Sequence, residues 1–371
     1  MGGPSVTRLI FVTQLVDPVD PVLGVTLDLV RALKDRCERL VVIANEVPTA
    51  PRDLGVEIIS LGKEHGAGRL RRGVRYERAI GNLARRLRPD ALVAHMCPIY
   101  LNLAAPIAKA FGIRTMLWFT YPRPSLMLVA AERLSDCIVT AIPGSYPRRN
   151  EKVHPIGHAI EISTFGFVPP RRSEGPFRLL SLGRTAPVKR HTVTLRAVAS
   201  ARRRVDIGLR IVGASTTPSE RQHRVELERT IDELDLRSAV TLEHAVPRFD
   251  IPNLLAESDC LVSATVAGSA DKSVLEAMAV GRPTLVSNPV FAPMLQGLVP
   301  SLRFREGDPH DLSARIEAIA LTGAADRRAI GEALSERVER EHSLGHWADR
   351  IIELARPDAA RARLHEPDPP G

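Results

Sequence analysis

Short apolar, β-prone runs alternate with helical patterns along this chain, and after a turn-rich interruption the alternation begins again. Residues 6–13 and 40–44 read as strands around a helix at about 25–35, followed by strands at 91–94, 114–119 and 137–141. The interruption is GFVPPRRSEGP, residues 166–176. Beyond it the strand pattern resumes at 178–182, 209–212, 240–242, 260–263 and 284–287. Strands alternating with helices imply parallel sheets covered on both faces. The expected fold class is therefore α/β, with two doubly wound Rossmann-like domains facing across a cleft. The first spans 1–165, the linker 166–176 and the second 177–341. The Pro-, Ala- and Arg-rich end, 357–371, is expected to be a disordered tail.

Composition narrows the function. A chain of 371 residues can bury two cores, and 44% apolar with 25% charged residues is ordinary for a globular protein. Aromatic residues make up only 4%, which argues against stacking platforms for single-stranded nucleic acid, and no nucleic-acid motif accompanies the net charge of +8. Cys37, Cys97, Cys137 and Cys260 lie far apart with no C-x-x-C pair, so neither a zinc site nor a disulfide framework is expected. The simplest account is buried, reduced thiols in the cytoplasm. The N-terminus lacks a signal-peptide pattern, and the longest apolar region, 91–119, is broken by His95, Pro98, Asn102, Pro106 and Lys109. No transmembrane helix is expected.

Two segments of the second half carry chemistry. Residues 263–288, SATVAGSADKSVLEAMAVGRPTLVSN, read as strand, small-residue turn, helix, Gly-Arg-Pro break and strand. A helix N-terminus after such a turn is an anion site, because its N–H groups lack intrahelical partners and the dipole is positive there. Gly268, Ser269 and Ala270 let a phosphate approach the backbone; Asp271, Lys272 and Ser273 open the helix, and Glu276 lies further along it. Upstream, FRLLSL ends in Gly183-Arg184, and a loop through Lys189 leads into another helical pattern. Arg184 and Lys189 would present a guanidinium and an ammonium to a diphosphate. Strand–turn–helix–strand is also the commonest unit of any α/β protein, and loop cations are often only surface charge. Two such anion sites in one half of the chain favour a nucleotide.

GRTAPVKRH and SADKSVLEAMAVGRPTLVSN together resemble the donor half of the retaining glycosyltransferases of family 4, the glycosyl transferases group 1 with the GT-B fold. HAVPRFDIPNLLAESDCLVSAT resembles the strand and "V-P" loop preceding the glutamate-bearing helix, placing His244 and Val246 near the donor. LIFVTQLVDPVDPVLGVTLDLVRAL and PIGHAIEISTF resemble the first strand, loop and helix and the close of the first domain, with Glu161 where many members have Asp. The resemblance implies a helix at 342–356 crossing back to the first domain. It also implies roles: Arg184 and Lys189 on the donor diphosphate, Gly183 and the turn at Gly268 around it, and Glu276 on the ribose. Retention in this family is described as same-face attack, with the leaving phosphate helping to deprotonate the acceptor hydroxyl, so no protein nucleophile is needed.

The chain departs from the family pattern at two places. Many members carry a glutamate eight positions before the one matched by Glu276, and here that position is Gly268, with Asp271 the nearby carboxylate. Members often have a histidine near the reacting sugar after the strand resembling LWFT, where this chain has Tyr121; His95 in AHMCP is the alternative polar group, and both are catalytic candidates beside their plainer readings as turn packing and a half-buried histidine. No Asp-x-Asp motif occurs, and the loops around the expected diphosphate are basic, so the expected site uses no metal and no cofactor beyond the nucleotide-sugar.

The acceptor is expected to be a sugar, a lipid-linked molecule or a small molecule, with Asp17 and Gly24 as acceptor-side candidates in DPVDPVLG. From Arg69 to Arg88 the chain holds eight arginines against one Glu, with Leu70, Val74, Ile80, Leu83 and Leu87 spaced as one apolar helix face. This segment is a core-facing helix with a solvated arginine face, a peripheral contact with an anionic membrane that gives access to a lipid-linked acceptor, or a patch that recruits an acidic or phosphorylated soluble acceptor. The two function classes are a metal-independent retaining glycosyltransferase, and a degenerate GT-B partner that binds nucleotide without transfer; an epimerase or phosphorylase of the same fold is a related alternative.

Overall fold

Leu9, Ile10, Phe11 and Val12 are all fully buried, yet successive side chains point to opposite faces of their strand. Such a strand needs cover on both sides, and helices supply it. The structure is a computed structural model that describes residues 7–18, 26–49, 51, 54–121, 123–170, 175–266 and 271–356. Gly24, Gly268, Ser269, Ala270, linker residues 171–174 and the expected tail at 357–371 lie outside the described residues.

The described chain forms two units, one reaching to Ala159 and resuming at Leu344, the other Ile160–Ser343. In the first, the order is β1 (Arg8–Leu15), α1 (Thr26–Lys34), β2 (Arg39–Glu46), β3 (Glu57–Ser60), α2 (Arg69–Arg86), β4 (Ala91–His95), α3 (Pro98–Phe111), β5 (Arg114–Trp118), α4 (Leu126–Leu134), β6 (Cys137–Thr140) and β7 (Val153–Pro155). The seven strands form one parallel sheet in the order β3-β2-β1-β4-β5-β6-β7. Leu9, Phe11, Val42 and Val93 share one core with Leu29 and Leu33 of α1; Ile10, Val12, Val41 and Leu92 share the other with Ile80 of α2, Leu101 of α3 and Leu128 of α4.

In the second unit the order is β8 (Phe177–Leu182), α5 (His191–Ala201), β9 (Ile207–Val212), α6 (Pro218–Glu233), β10 (Val240–Glu243), α7 (Ile251–Glu257), β11 (Cys260–Ser263), α8 (Lys272–Ala279), β12 (Thr284–Val286), α9 (Ala292–Leu295), α10 (Pro309–Leu321) and α11 (Ala324–His342). Its five strands are also all parallel, ordered β10-β9-β8-β11-β12. Among the described residues no helix is long and apolar enough to cross a membrane.

Three expectations need correction. The boundary falls between Ala159 and Ile160 rather than at 165. Ile160 N–H donates to the His342 carbonyl at 2.8 Å, and Arg248 lies over the Phe165 ring, so residues 160–165 are held by the second unit. The strands β3 and β7 were not expected; both are edge strands, only partly buried, and β7 has three residues ending in Pro155. Finally, α2 turns Tyr76, Ile80, Leu83 and Ala84 inward, while Leu70 is 84% and Val74 40% exposed. Its outer face is arginine-rich as expected, with Arg86 paired to Glu57 and Arg75 donating to the Leu61 carbonyl.

The chain returns to the first unit as α12 (Leu344–Ala355), which packs on α1. Trp347 is its anchor: it is fully buried and its ring lies 4.6 Å from that of Trp118. Trp347→Ala is expected to cost about 3–5 kcal/mol in urea unfolding, the range for a large buried aromatic. A loss under about 1 kcal/mol would show that α12 is not bound by this face.

A second stability device is a buried imidazole. His191 opens α5 and its Nδ1 lies 3.2 Å from Ser181 Oγ of β8. Burial, then the neighbouring Lys189 ammonium and His223, push its pKa down from 6.5 to about 4. The folded state thus binds this proton more weakly than the unfolded state. Its stabilising effect is complete above pH 6.5 and is lost as pH falls towards about 4. Thermal melts should show Tm falling across that window, with a shallower slope in His191→Gln; an unchanged slope would refute the assignment.

Candidate functional site

In the second sheet the chain winds one way from β8 through β9 to β10, and the other way from β11 to β12. Loops leaving adjacent β8 and β11 therefore part to opposite sides, which opens a crevice at the carboxyl ends of these strands. The loop after β8 holds Gly183, Arg184 and Lys189; the loop after β11 leads into α8 and Glu276. The expected donor residues thus converge because of strand order. Three contacts join the loops: Val266 N–H donates to the Val188 carbonyl at 3.2 Å, Ser273 Oγ to the Leu182 carbonyl at 3.2 Å, and Lys189 Nζ to Asp271 Oδ2 at 2.5 Å.

Asp271 does something other than expected. Its carboxylate is buried and receives Lys189, Ser263 Oγ and Thr265 Oγ1 on Oδ2, and Ser273 Oγ on Oδ1. Burial opposes its ionisation, but the Lys189 ammonium and these hydroxyls hold its carboxyl below the usual range. So engaged, the carboxylate holds Lys189 in place. It also leaves the first turn of α8 without a side-chain cap, although Asp271 stands at the N-cap.

Arg184 is exposed and its Nη1 donates to Glu220 Oε1 at 2.6 Å. Glu220 Oε2 accepts from Thr216 N–H, Thr216 Oγ1 and Thr217 N–H at 2.8, 2.7 and 3.0 Å, and Thr217 completes a capping box for α6. Burial works against the Glu220 charge, yet these bonds and Arg184 hold its pKa down to about 2. The loop itself runs close to its neighbour. Gly183 has φ 134°, and a Cβ on Gly213 would lie 1.7 Å from the Gly183 carbonyl oxygen, so both positions require glycine.

Glu276 is 4% exposed on α8; Arg248 Nη1 lies 3.2 Å and Lys272 Nζ 4.0 Å from its Oε1. Arg248 in turn stacks on Phe165, its guanidinium 5.4 Å from the ring centre. His244 is exposed and Val246 half-buried in the loop after β10. The Gly-Arg-Pro break is anchored by Arg282, which is 1% exposed and donates to the Leu255 and Val168 carbonyls at 3.1 and 3.0 Å. Arg248, Glu220 and His191 were not singled out from the sequence. The capping box Thr217-Pro218-Ser219-Glu220 was a readable signal for Glu220, whereas Arg248 lies 28 residues before Glu276 and has no spacing that marks it.

In the first unit the equivalent switch point lies between β1 and β4. His95 ends β4 there, between the rings of Phe11 and Trp118, with Nδ1 3.1 Å from Thr13 Oγ1. Tyr121, three residues past the end of β5, is 47% exposed, and Asp17, just past β1, is buried. Among the described residues no group of three or more His, Cys, Asp or Glu side chains is placed to hold a metal ion. Cys97, Cys137 and Cys260 are buried and Cys37 half-buried, all four as free thiols. Burial pushes Cys37, Cys97 and Cys137 up to about 12, which makes them poor nucleophiles.

Residues 167–334 match the family model described as glycosyl transferases group 1. Three solved structures show how far the likeness extends. A glycosyltransferase from Rickettsia africae superposes with a TM-score of 0.75 at 15% identity, over 97% of this chain and 100% of that one. Sucrose-phosphate synthase from Thermosynechococcus elongatus gives 0.73 at 15% identity, over 96% and 99%. HepE from Anabaena in complex with UDP gives 0.72 at 15% identity, over 94% and 99%. No curated protein matches the chain. Over residues 167–334 the chain is therefore similar to the glycosyl transferases group 1, and the fold of its two units is GT-B.

Proposed function

We propose that the protein is a retaining, metal-independent glycosyltransferase that moves a sugar from a nucleoside diphosphate sugar to an acceptor hydroxyl. The observation that supports this reading most is the convergence of Arg184, Lys189 and the uncapped first turn of α8 at the switch point of the second sheet. That is a preorganised set of positive groups where a diphosphate leaving group would accumulate charge. The match of residues 167–334 and the likeness to HepE, solved with UDP and with UDP-glucose, agree with it.

In the proposed reaction the bond from the anomeric carbon to the leaving phosphate oxygen breaks, and the acceptor oxygen bonds to that carbon on the same face. The leaving phosphate takes the acceptor proton. Arg184 and Lys189 neutralise the departing diphosphate, and Glu276, held by Arg248, accepts from the ribose. Both cations can turn to the donor while the carboxylates they leave keep hydrogen-bond donors. Asp271 keeps three hydroxyl partners once Lys189 leaves it, and Glu220 keeps three donors from Thr216 and Thr217. In this reading the positive side chains carry the electrostatic work. Tyr121 and His95, at the carboxyl ends of β5 and β4, are the catalytic candidates of the first unit in this reading.

One observation favours binding without transfer: Arg184, Lys189 and Glu276 each already have a protein partner of opposite charge. Release of nucleoside diphosphate from UDP-, GDP- and TDP-sugars, with and without EDTA, separates the readings. Release that survives EDTA and disappears in Glu276→Ala is expected. Binding of a donor with no release, even in the presence of acceptor, would leave only the second reading.

Arg184→Ala should lower kcat/KM by about a hundredfold, the cost of losing one preorganised donor on developing charge. Arg184 is exposed and Glu220 keeps three other hydrogen-bond donors, so Tm should fall only slightly. A stable variant with wild-type turnover would remove Arg184 from the mechanism.

A further inference from the structure

The first unit has a cavity of about 680 Å³ between α2, α3 and the first turn of α4, at the carboxyl ends of β1 and β2. That volume is typical of a small-molecule site, and the carboxyl ends of parallel strands are where doubly wound sheets take their ligands. Its walls are apolar: Leu70 and Val74 from α2, Ile99 and Leu103 from α3, and Met127 from α4. Four of these are exposed, at 84% for Leu70, 53% for Met127, 40% for Val74 and 39% for Ile99. Exposed apolar side chains gathered around one cavity, rather than scattered, mark a surface that something covers.

The polar part is built. Asn45 and Tyr100 are buried, and Asn45 Oδ1 accepts from Arg72 Nη1 at 2.6 Å and from the Tyr100 hydroxyl at 2.7 Å. Arg72 Nε is buried with no hydrogen-bond partner among the described residues. Arg69 also lines the cavity, as do the exposed carboxylate of Glu77 and Gln14. Two guanidinium groups, one of them incompletely satisfied, thus sit against an apolar chamber.

We propose that this cavity binds the acceptor, and that the acceptor is a hydroxyl-bearing lipid phosphate: its hydrocarbon between Leu70, Val74, Ile99 and Met127, its phosphate on Arg72 and Arg69. The inference rests on the glycosyltransferase reading for the word acceptor, and on the cavity alone for the chemistry of the ligand. The apolar walls exclude a bare sugar phosphate, which would leave them wet, and the arginines select the anion over a neutral amphiphile. Adsorption of the same apolar side chains to a membrane surface is the other outcome that the experiment separates.

The test is titration of the full-length protein with dodecyl phosphate below its micellar concentration, beside dodecyl glucoside and glucose 6-phosphate. Saturable binding of dodecyl phosphate is expected, at least tenfold tighter than either comparison ligand. Val74→Asp and Ile99→Asp, both at half-exposed positions, should each weaken it at least tenfold, and Arg72→Ala likewise. Thermal melts confirm that the variants are folded, and two independent wall variants guard against loss of one. Equal or tighter binding of glucose 6-phosphate, or dodecyl phosphate binding unchanged in both wall variants, would overturn the proposal. Adsorption to anionic phospholipid vesicles without saturable uptake of the single-chain phosphate would replace it with a membrane-docking face. UDP-glucose binding by the same samples reports the donor site independently. Its absence alongside normal dodecyl phosphate binding would sink the transferase reading while leaving the cavity assigned.

Discussion

The ion pair between Lys189 and Asp271 is the interaction on which the second unit's site depends. Side chains from the loops after two adjacent strands meet there, and the separation of those loops is itself dictated by the strand order β10-β9-β8-β11-β12. A buried pair of this kind stabilises only if the remaining lone pairs and protons are satisfied, since removing two charges from water costs several kcal/mol each. Ser263, Thr265 and Ser273 supply that satisfaction for the carboxylate. The pair therefore holds the loop after β8 against the start of α8 and keeps a cation beside a helix end without a side-chain cap.

The same construction recurs around it. Arg184 is tied to Glu220, which is itself locked by the first residues of α6; Glu276 is tied to Arg248, which rests on Phe165. Each group aimed at the donor is thus held by a partner belonging to a different loop or helix. The partners fix where each cation waits, and in the proposed reaction the cation exchanges its carboxylate partner for the arriving anion. The first unit is built on another principle. Its sheet is apolar on both faces, α12 returns to cover one of them through Trp347, and its polar groups are gathered at the carboxyl ends of β1, β2 and β4.

The fold was largely legible because central parallel strands are buried on both faces and so read as unbroken apolar runs, as in Leu9–Val12 and Cys260–Ser263. The edge strands β3 and β7 escaped because a strand paired on one side needs no such run. The face of α2 was half legible: spacing placed Ile80 and Leu83 inward, but Leu70 and Val74 share that spacing and line a cavity instead. Helical periodicity says which residues share a side and not whether anything covers that side. Among the site residues, Arg184, Lys189 and Glu276 were legible from loop position and motif, and the part played by Asp271 was not, because its partners come from three separate places in the chain.

The sequence by itself determined the α/β alternation, the two-unit organisation and the identity of the positive groups around a helix N-terminus, since these rest on local periodicity, turn chemistry and short motifs. Only the tertiary structure decided which charges neutralise one another, that residues 160–165 belong with the second unit, and that the exposed apolar residues of α2, α3 and α4 enclose a cavity. Those are consequences of strand order and packing, which join residues tens of positions apart, and no interaction range along the chain is long enough to encode them locally.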